Sequence, residues 1–405
     1  MPSSPRRDYA LVTLCYQAFT LSDGALRMLV LLHLHELGNT PLALALVLLP
    51  YEVAGVVTNL LGGWLGARFG LKLTLVTGLL LQVAACALLS VPATWLTVPW
   101  VMATQILSGV AKDLAKTGAK SYVRQLAPEA SHGSLFRLVA LLTGSKNAVK
   151  GAGFFVGGAL LAWVGFRTTN VCLAALLAAF TVLAAVSLPR AVGKPHVPLR
   201  AMFAHDPAVN WLAAARLFLF ASRDAWFAVA LPLCLTTALA WPAPSVGAFL
   251  SVWVIGYGFV QAAAPALLRP TSLRGGVRRT LASTTLLLLP LAATAAALHG
   301  GAPPAPTIVV GLCAYGAVFA LASSLHSWLV VGLADAEATA ERVGFYYAAN
   351  ALGRLVGTFV SGAVYAAWQQ GVPGLVACLV AAGGAVAVAA ACTLPIAARV
   401  ERAAT

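Results

Sequence analysis

The chain has 405 residues, of which 60% are hydrophobic and 9% charged, with a mean hydropathy of +0.87 and a formal net charge of +14. So few charged groups cannot cover the apolar surface of a water-soluble domain of this length, and the composition indicates a polytopic membrane protein. The basic excess does not indicate nucleic acid, because the Arg and Lys residues are scattered between apolar runs and form no single solvated patch.

Twelve apolar segments run at about 9–34, 41–66, 73–91, 96–116, 136–163, 167–189, 209–237, 245–268, 279–298, 307–333, 343–367 and 374–396. The first is too long for a signal peptide and lacks a small-residue cleavage site, so it is read as a spanning helix. Its middle carries Ser22, Asp23 and Arg27, and on a helix Tyr16, Thr20, Asp23 and Arg27 share one stripe. A charge near the bilayer centre costs about 2.5–3.5 kcal/mol on insertion scales, so such groups face a protein interior or a water-filled path. The plainer alternative is an internal ion pair between Asp23 and Arg27.

The longest connection, 190–208, divides the chain into a six-helix half at 1–189 and a second at 209–405. Basic residues collect at alternate segment ends, among them Arg68, Lys72, Arg124, Arg190, Lys194, Arg200, Arg274 and Arg278. The opposite connections contain only Arg167. The positive-inside rule therefore predicts that both termini and the 190–208 linker are cytoplasmic. The halves echo one another: Asp23 precedes Asp224 by 201 positions, and Lys150, Gly153, Phe155, Val156 and Gly158 match Arg354, Gly357, Phe359, Val360 and Gly362 at an offset of 204. Two such halves are the architecture of the major facilitator superfamily, in which the halves rock about a site near mid-membrane.

After the second segment the chain reads GGWLGARFGLK. It resembles the major facilitator loop signature through Gly63, Leu65, Arg68, Gly70 and Lys72, with Ala67 where that signature has Asp. Arg68, Gly70 and Lys72 are candidate gating residues, the plain alternative being a positive-inside loop. The fifth segment contains Gly151, Gly153, Gly157 and Gly158, whose spacing favours close helix packing.

Mid-segment basic residues are Arg27, Lys112, Lys116, Lys146, Lys150, Arg216, Arg223 and Arg354, against the acids Asp23, Glu52, Asp113 and Asp224. An excess of guanidinium and ammonium suits an anion, and Arg in particular suits an oxyanion held by two hydrogen bonds. Substrate-binding candidates are Arg27, Lys146, Asn147, Lys150, Arg216, Arg223, His326, Tyr346, Asn350 and Arg354. Lys116 is expected to snorkel to the inner surface, Lys112 is open between the two roles, and Arg216 lies close to its segment's start. Asp23, Glu52, Asp224 and His326 are the groups that could carry a coupling proton. The seven cysteines lie singly, with no C-x-x-C pair, so no metal site or disulfide framework is expected. No nucleotide-binding loop and no nucleophile–base constellation is present, so neither an ATP-driven pump nor an enzyme is expected, and no cofactor.

Taken together, the stretches FTLSDGALRMLV (19–30), GVVTNLLGGWLGAR (55–68), LSGVAKDLAK (107–116), LTGSKNAVKGAGFF (142–155), ARLFLFASRDAWF (215–227), SSLHS (323–327) and VGFYYAANALGRL (343–355) resemble organoarsenical efflux permeases of the ArsJ type. The resemblance covers both halves. It implies proton-coupled export of 1-arseno-3-phosphoglycerate across the bacterial inner membrane, giving arsenate resistance. It also implies a functional partnership with a glyceraldehyde-3-phosphate dehydrogenase that makes the ester. Such a cargo has two tetrahedral anionic heads, one for Arg27, Lys146 and Lys150, the other for Arg216, Arg223 and Arg354. The expected partners are this small anion and the lipid bilayer, with no nucleic acid and the chain acting as a monomer. Export or exchange of another organic or sugar phosphate is the alternative.

Overall fold

In a bilayer each backbone N–H and C=O must be satisfied within the chain, so long apolar stretches become helices. The computed structural model describes residues 5–69, 71–126, 132–188, 207–268, 272–332 and 339–402, and every regular element among them is helical. In chain order they are α1 (Pro5–Glu36), α2 (Pro41–Phe69), α3 (Leu71–Leu89), α4 (Val98–Leu126), α5 (His132–Ser187), α6 (Pro207–Phe227) and α7 (Ala230–Thr237). There follow α8 (Ala243–Leu268), α9 (Leu273–Leu286), α10 (Leu288–His299), α11 (Pro304–Gly332), α12 (Thr339–Ala367) and α13 (Gly371–Arg402). α5 is two helices joined at Gly165, whose φ of 80° only glycine adopts without strain.

Among the described residues, eight stretches are long and apolar enough to cross a membrane: Pro41–Asn59, Lys72–Leu89, Ser145–Ser187, Pro207–Thr237, Ala243–Ala264, Leu273–His299, Pro304–Leu329 and Gly371–Arg402. α1, α4 and α12 are 32, 29 and 29 residues long and carry charge in their middles. Several helices outrun their apolar segments, as α4 does in continuing from the segment end near 116 to Leu126. Hydropathy marks the part in hydrocarbon, whereas helical hydrogen bonding continues through the polar residues beyond it.

The chain forms two compact units. One comprises Met1–His33, Val53–Leu199 and Ala243–Ile255; the other comprises Leu34–Glu52, Arg200–Pro242 and Gly256–Thr405. The first part of α2 thus belongs with the second unit and the first part of α8 with the first.

Small residues decide which helices touch inside each unit. In the first, a side chain on Gly24 of α1 would come within 2.5 Å of the Lys150 main-chain oxygen on α5, and Gly153 and Gly157 abut α1 in return. Gly78 and Gly118 hold α3 and α4 together, while Gly151 and Gly158 meet the start of α8 at Ser251 and Ala243. All four candidate glycines of the fifth segment therefore lie at helix contacts. In the second unit Gly353 and Gly357 meet α6 at Leu217 and Ala221, and Gly362 meets Pro41 and Ala45 of α2. Leu212, Val277, Leu329 and Ile396 form a buried apolar core from α6, α9, α11 and α13.

Candidate functional site

In the first unit the close approach of α1 and α5 sets the chemistry. It brings Lys150 Nζ to 2.7 Å from Asp23 Oδ2, with the carboxylate 5% exposed and the lysine 17%. Asp23 therefore pairs across to α5, a partner that the stripe on α1 did not reveal. Gln17 donates from Nε2 to Ser145 Oγ at 2.6 Å between the same two helices. Arg27, Lys146 and Asn147 are half-buried.

A second buried acid of this unit, Asp113, is 1% exposed. It is bonded to Lys116, accepts from Thr58 at 3.0 Å, and lies 3.8 Å from Lys112 Nζ. Lys116 also donates to Asn59 Oδ1 at 2.5 Å. The expectation that Lys116 snorkels outward is corrected: a buried carboxylate one turn away offers the ammonium a stronger partner than the membrane surface does. Lys112 joins the same cluster.

Lys72 Nζ donates to the Leu188 carbonyl at 2.6 Å, placing a cation on the C-terminal end of α5, where the exposed carbonyls carry partial negative charge. Gly70 lies outside the described residues, as do the side chains of Arg68 and Tyr346 and nearly all of the 190–208 linker.

In the second unit the contact of α6 with α12 plays the part that α1 and α5 play in the first. Arg354 Nη2 donates to Glu52 Oε1 at 2.6 Å, and its Nε lies 3.5 Å from Asp224 Oδ2. Arg223 holds the other oxygen of Asp224 at 2.6 Å. Glu52 is fully buried and Asp224 is 2% exposed. The Lys150–Asp23 pair and the Arg354–Asp224 pair occupy the positions that the 204- and 201-residue offsets relate. Asn350 is half-buried one turn before Arg354, and its Oδ1 has no partner among the described residues.

Arg216, ambiguous from its place near the start of its segment, is 4% exposed. It donates to the Ser323 main-chain oxygen at 2.8 Å, and its guanidinium lies 4.2 Å from the centroid of the Phe220 ring. Arg223 lies over the same ring at 5.0 Å. Phe220 packs edge-on to Phe319, which also neighbours Tyr257 and Tyr315. These aromatics escaped the reading of the sequence, since nothing in an apolar run separates a ring that orients an arginine from one that fills the core. His326 is fully buried, with Nε2 3.4 Å from Thr284 Oγ1.

Each of the four mid-helix acids is thus engaged by Lys or Arg, and the eight basic candidates outnumber them two to one. A buried ion pair of this kind contributes little net stability, because desolvation offsets the attraction, but removing one partner leaves the other charge uncompensated. No group of three His, Cys, Asp or Glu able to hold a metal occurs among the described residues.

A family-wide sequence profile of the major facilitator superfamily matches residues 12–223, just over half of the chain. No curated protein matches by sequence. Among solved structures, the nucleoside transporter NupG superimposes with a TM-score of 0.72 at 15% identity, covering 95% of this chain and 98% of that one. A proton-dependent oligopeptide transporter gives 0.71 at 16% identity, covering 98% of each chain. A POT family transporter in complex with a thioalcohol-conjugated peptide gives 0.73 at 13% identity, covering 96% of this chain and 95% of that one. At these identities the likeness speaks for the fold alone. With the family profile and the apolar helices it leads to one conclusion: the chain belongs to the major facilitator superfamily, as a multi-pass membrane transporter rather than an enzyme.

Proposed function

We propose that the chain exports 1-arseno-3-phosphoglycerate from the bacterial cytoplasm and so confers resistance to arsenate. The observation that carries this reading is the excess of Arg and Lys held in the middles of membrane helices, with each mid-helix carboxylate already bound to one of them. Placing cations there is costly, and an anionic cargo is the chemistry that offsets the cost. The resemblance of the charged stretches to ArsJ-type permeases supplies the identity of the anion. A pentavalent ester is handled as an oxyanion, in keeping with cysteines that lie singly along the chain.

In this reading the chain crosses the inner membrane twelve times. The eight apolar stretches count as nine once Ser145–Ser187 is divided at Gly165, and α1, α4 and α12 complete the set. Both termini and the 190–208 linker face the cytoplasm, separating covalent halves at 1–189 and 209–405. Lys150 with Arg27, Lys146 and Asn147 serves the cargo in the first unit, and Arg354 with Arg223 and Asn350 serves it in the second. Asp23, Glu52 and Asp224 are the groups that would carry the coupling proton, which enters on the cargo-free carrier in exchange for the exported anion. The dehydrogenase that forms the ester is a functional partner.

The test is growth of an arsenate-sensitive bacterium carrying this gene, a glyceraldehyde-3-phosphate dehydrogenase gene, or both. Resistance that requires both genes is the expected result. Resistance from the permease alone would assign inorganic arsenate as cargo, and no resistance, with a phosphorylated sugar expelled instead, would assign another organic phosphate.

A further inference from the structure

The connections 299–306 and 368–374 contain no Lys, Arg, Asp or Glu. Beside them, within the second unit, the end of α10, the end of α12 and the start of α13 border a cleft of about 650 Å³. The turn from α12 into α13 is tight. Gln369 and Gln370 take left-handed φ of 60° and 53°, a conformation that a Cβ disfavours, and Gly371 continues it at 59°. Gly371 N donates to Tyr365 Oη at 2.9 Å, and a Cβ on Gly374 would fall 2.9 Å from the Tyr365 ring. The start of α13 is thereby held against the end of α12, which gives the cleft a fixed wall.

The lining is apolar along its length: Leu298 from α10, Val364 from α12, and Val376, Ala377, Val380 and Ala381 from α13. The polar side chains that line it, His299, Trp368 and Gln369, belong to the helix ends. From Val372 to Ala381 the cleft follows α13 for about 14 Å, at 1.5 Å per residue. That is close to the ~15 Å of hydrocarbon in one leaflet. Leu289 on α10 and Val388 and Leu394 on α13 are exposed beyond it, so the cleft is continuous with the face that these membrane helices turn to lipid. Trp368, whose amphipathic ring suits the membrane–water boundary, stands at the polar end.

Helices of two chains pair in lipid by closing over small residues. Here Val380 at 65% exposure and Trp368 at 62% stand beside Ala377 and Ala381, which keeps another helix away. One acyl chain is thin and flexible enough to lie between them. Among the described residues no charged side chain lines the mouth, and an imidazole and a carboxamide can each donate or accept. Such a mouth admits the paired charges of a zwitterionic headgroup, whereas an anionic one would find no cation there.

We propose that this cleft binds one zwitterionic phospholipid, with an acyl chain along α13 and the headgroup at His299, Trp368 and Gln369. On the topology proposed above the lipid comes from the outer leaflet. The site is independent of the cargo assigned to the transporter.

The experiment is native mass spectrometry of the purified full-length protein after reconstitution in nanodiscs of mixed phosphatidylethanolamine and phosphatidylglycerol. One phosphatidylethanolamine retained per chain is expected. Ala377→Phe/Ala381→Phe, which puts two rings into the cleft, should lower retention at least ten-fold. His299→Ala, at an exposed position, should weaken it about three- to ten-fold, the weight of one hydrogen bond. Val310→Phe, at an exposed apolar position of α11 outside the cleft, should retain the lipid as the parent does. Added phosphatidylethanolamine should raise the melting temperature of the parent and of Val310→Phe but not that of the filled variant, since only a ligand of the folded state stabilises it. No lipid retained by the parent, or equal retention in the filled variant, overturns the site. So does equal loss in Val310→Phe, which would mean bulk lipid only, or retention of phosphatidylglycerol instead. A dimer that the filled variant dissolves would assign the cleft to a second copy of the chain and overturn it as well.

Discussion

Replacing Arg354 by Met removes the cation shared by two buried acids while keeping most of the aliphatic volume. Glu52 is fully buried and receives Arg354 at 2.6 Å; Asp224 also loses a neighbour at 3.5 Å but keeps Arg223 at 2.6 Å. Removing one partner of a buried pair costs about 3–5 kcal/mol, since the remaining charge must be desolvated alone or take a proton. Glu52→Gln is milder at about 1–2 kcal/mol, because the amide oxygen still accepts from Arg354, which retains Asp224. The double variant Glu52→Gln/Arg354→Met removes the buried negative charge at position 52 together with the cation that faces it. It should therefore be more stable than Arg354→Met alone, with a coupling energy of about 2 kcal/mol. Unfolding in mixed micelles, followed by tryptophan fluorescence, measures all three variants. If Arg354→Met costs no more than Glu52→Gln, or if the double variant costs the sum of the two singles, then Arg354 is not what compensates Glu52.

Other expectations follow from the same contacts. Lys150→Met should cost about 3–5 kcal/mol by removing the ammonium 2.7 Å from the buried Asp23 carboxylate, and Asp23→Asn added to it should recover part of that loss in the same unfolding assay. Gly24→Ala puts a methyl group 2.5 Å from the Lys150 main-chain oxygen, so a loss of about 1–3 kcal/mol is expected. Gly256→Ala, where nothing lies within 4 Å, should melt with the parent, and equal melting of both variants would mean that α1 and α5 are not in contact at Gly24. Cys172→Ala and Cys313→Ala, the two exposed cysteines, should leave arsenate resistance intact; a loss would point to thiol-bound trivalent arsenic as cargo.

Much of this architecture was legible because hydropathy and charge are one-dimensional signals. Asp23, Lys150 and Arg354 stand out in apolar surroundings, and their offsets announced that two helix pairs would be built alike. Pair identity was not legible. Asp23 could be matched to Arg27 on its own stripe, yet the small faces of Gly24, Gly153 and Gly157 bring Lys150 within reach. Such contacts depend on helix rotation, which spacing within one helix does not define. Lys116 misled for a related reason: its place near the inner end of an apolar segment suggested snorkelling, while its fate was decided by Asp113 and Asn59. The Phe220–Phe319–Tyr257 group was invisible for want of contrast, being aromatic residues in apolar runs.

The most direct test of the central claim uses everted membrane vesicles supplied with arsenate, glyceraldehyde 3-phosphate, NAD and the dehydrogenase, with uptake of radiolabelled arsenic as the readout. The account predicts uptake that requires the dehydrogenase, collapses with the proton gradient and is lost in Arg354→Met. Arsenic uptake without the dehydrogenase, or none under any of these conditions, would contradict it.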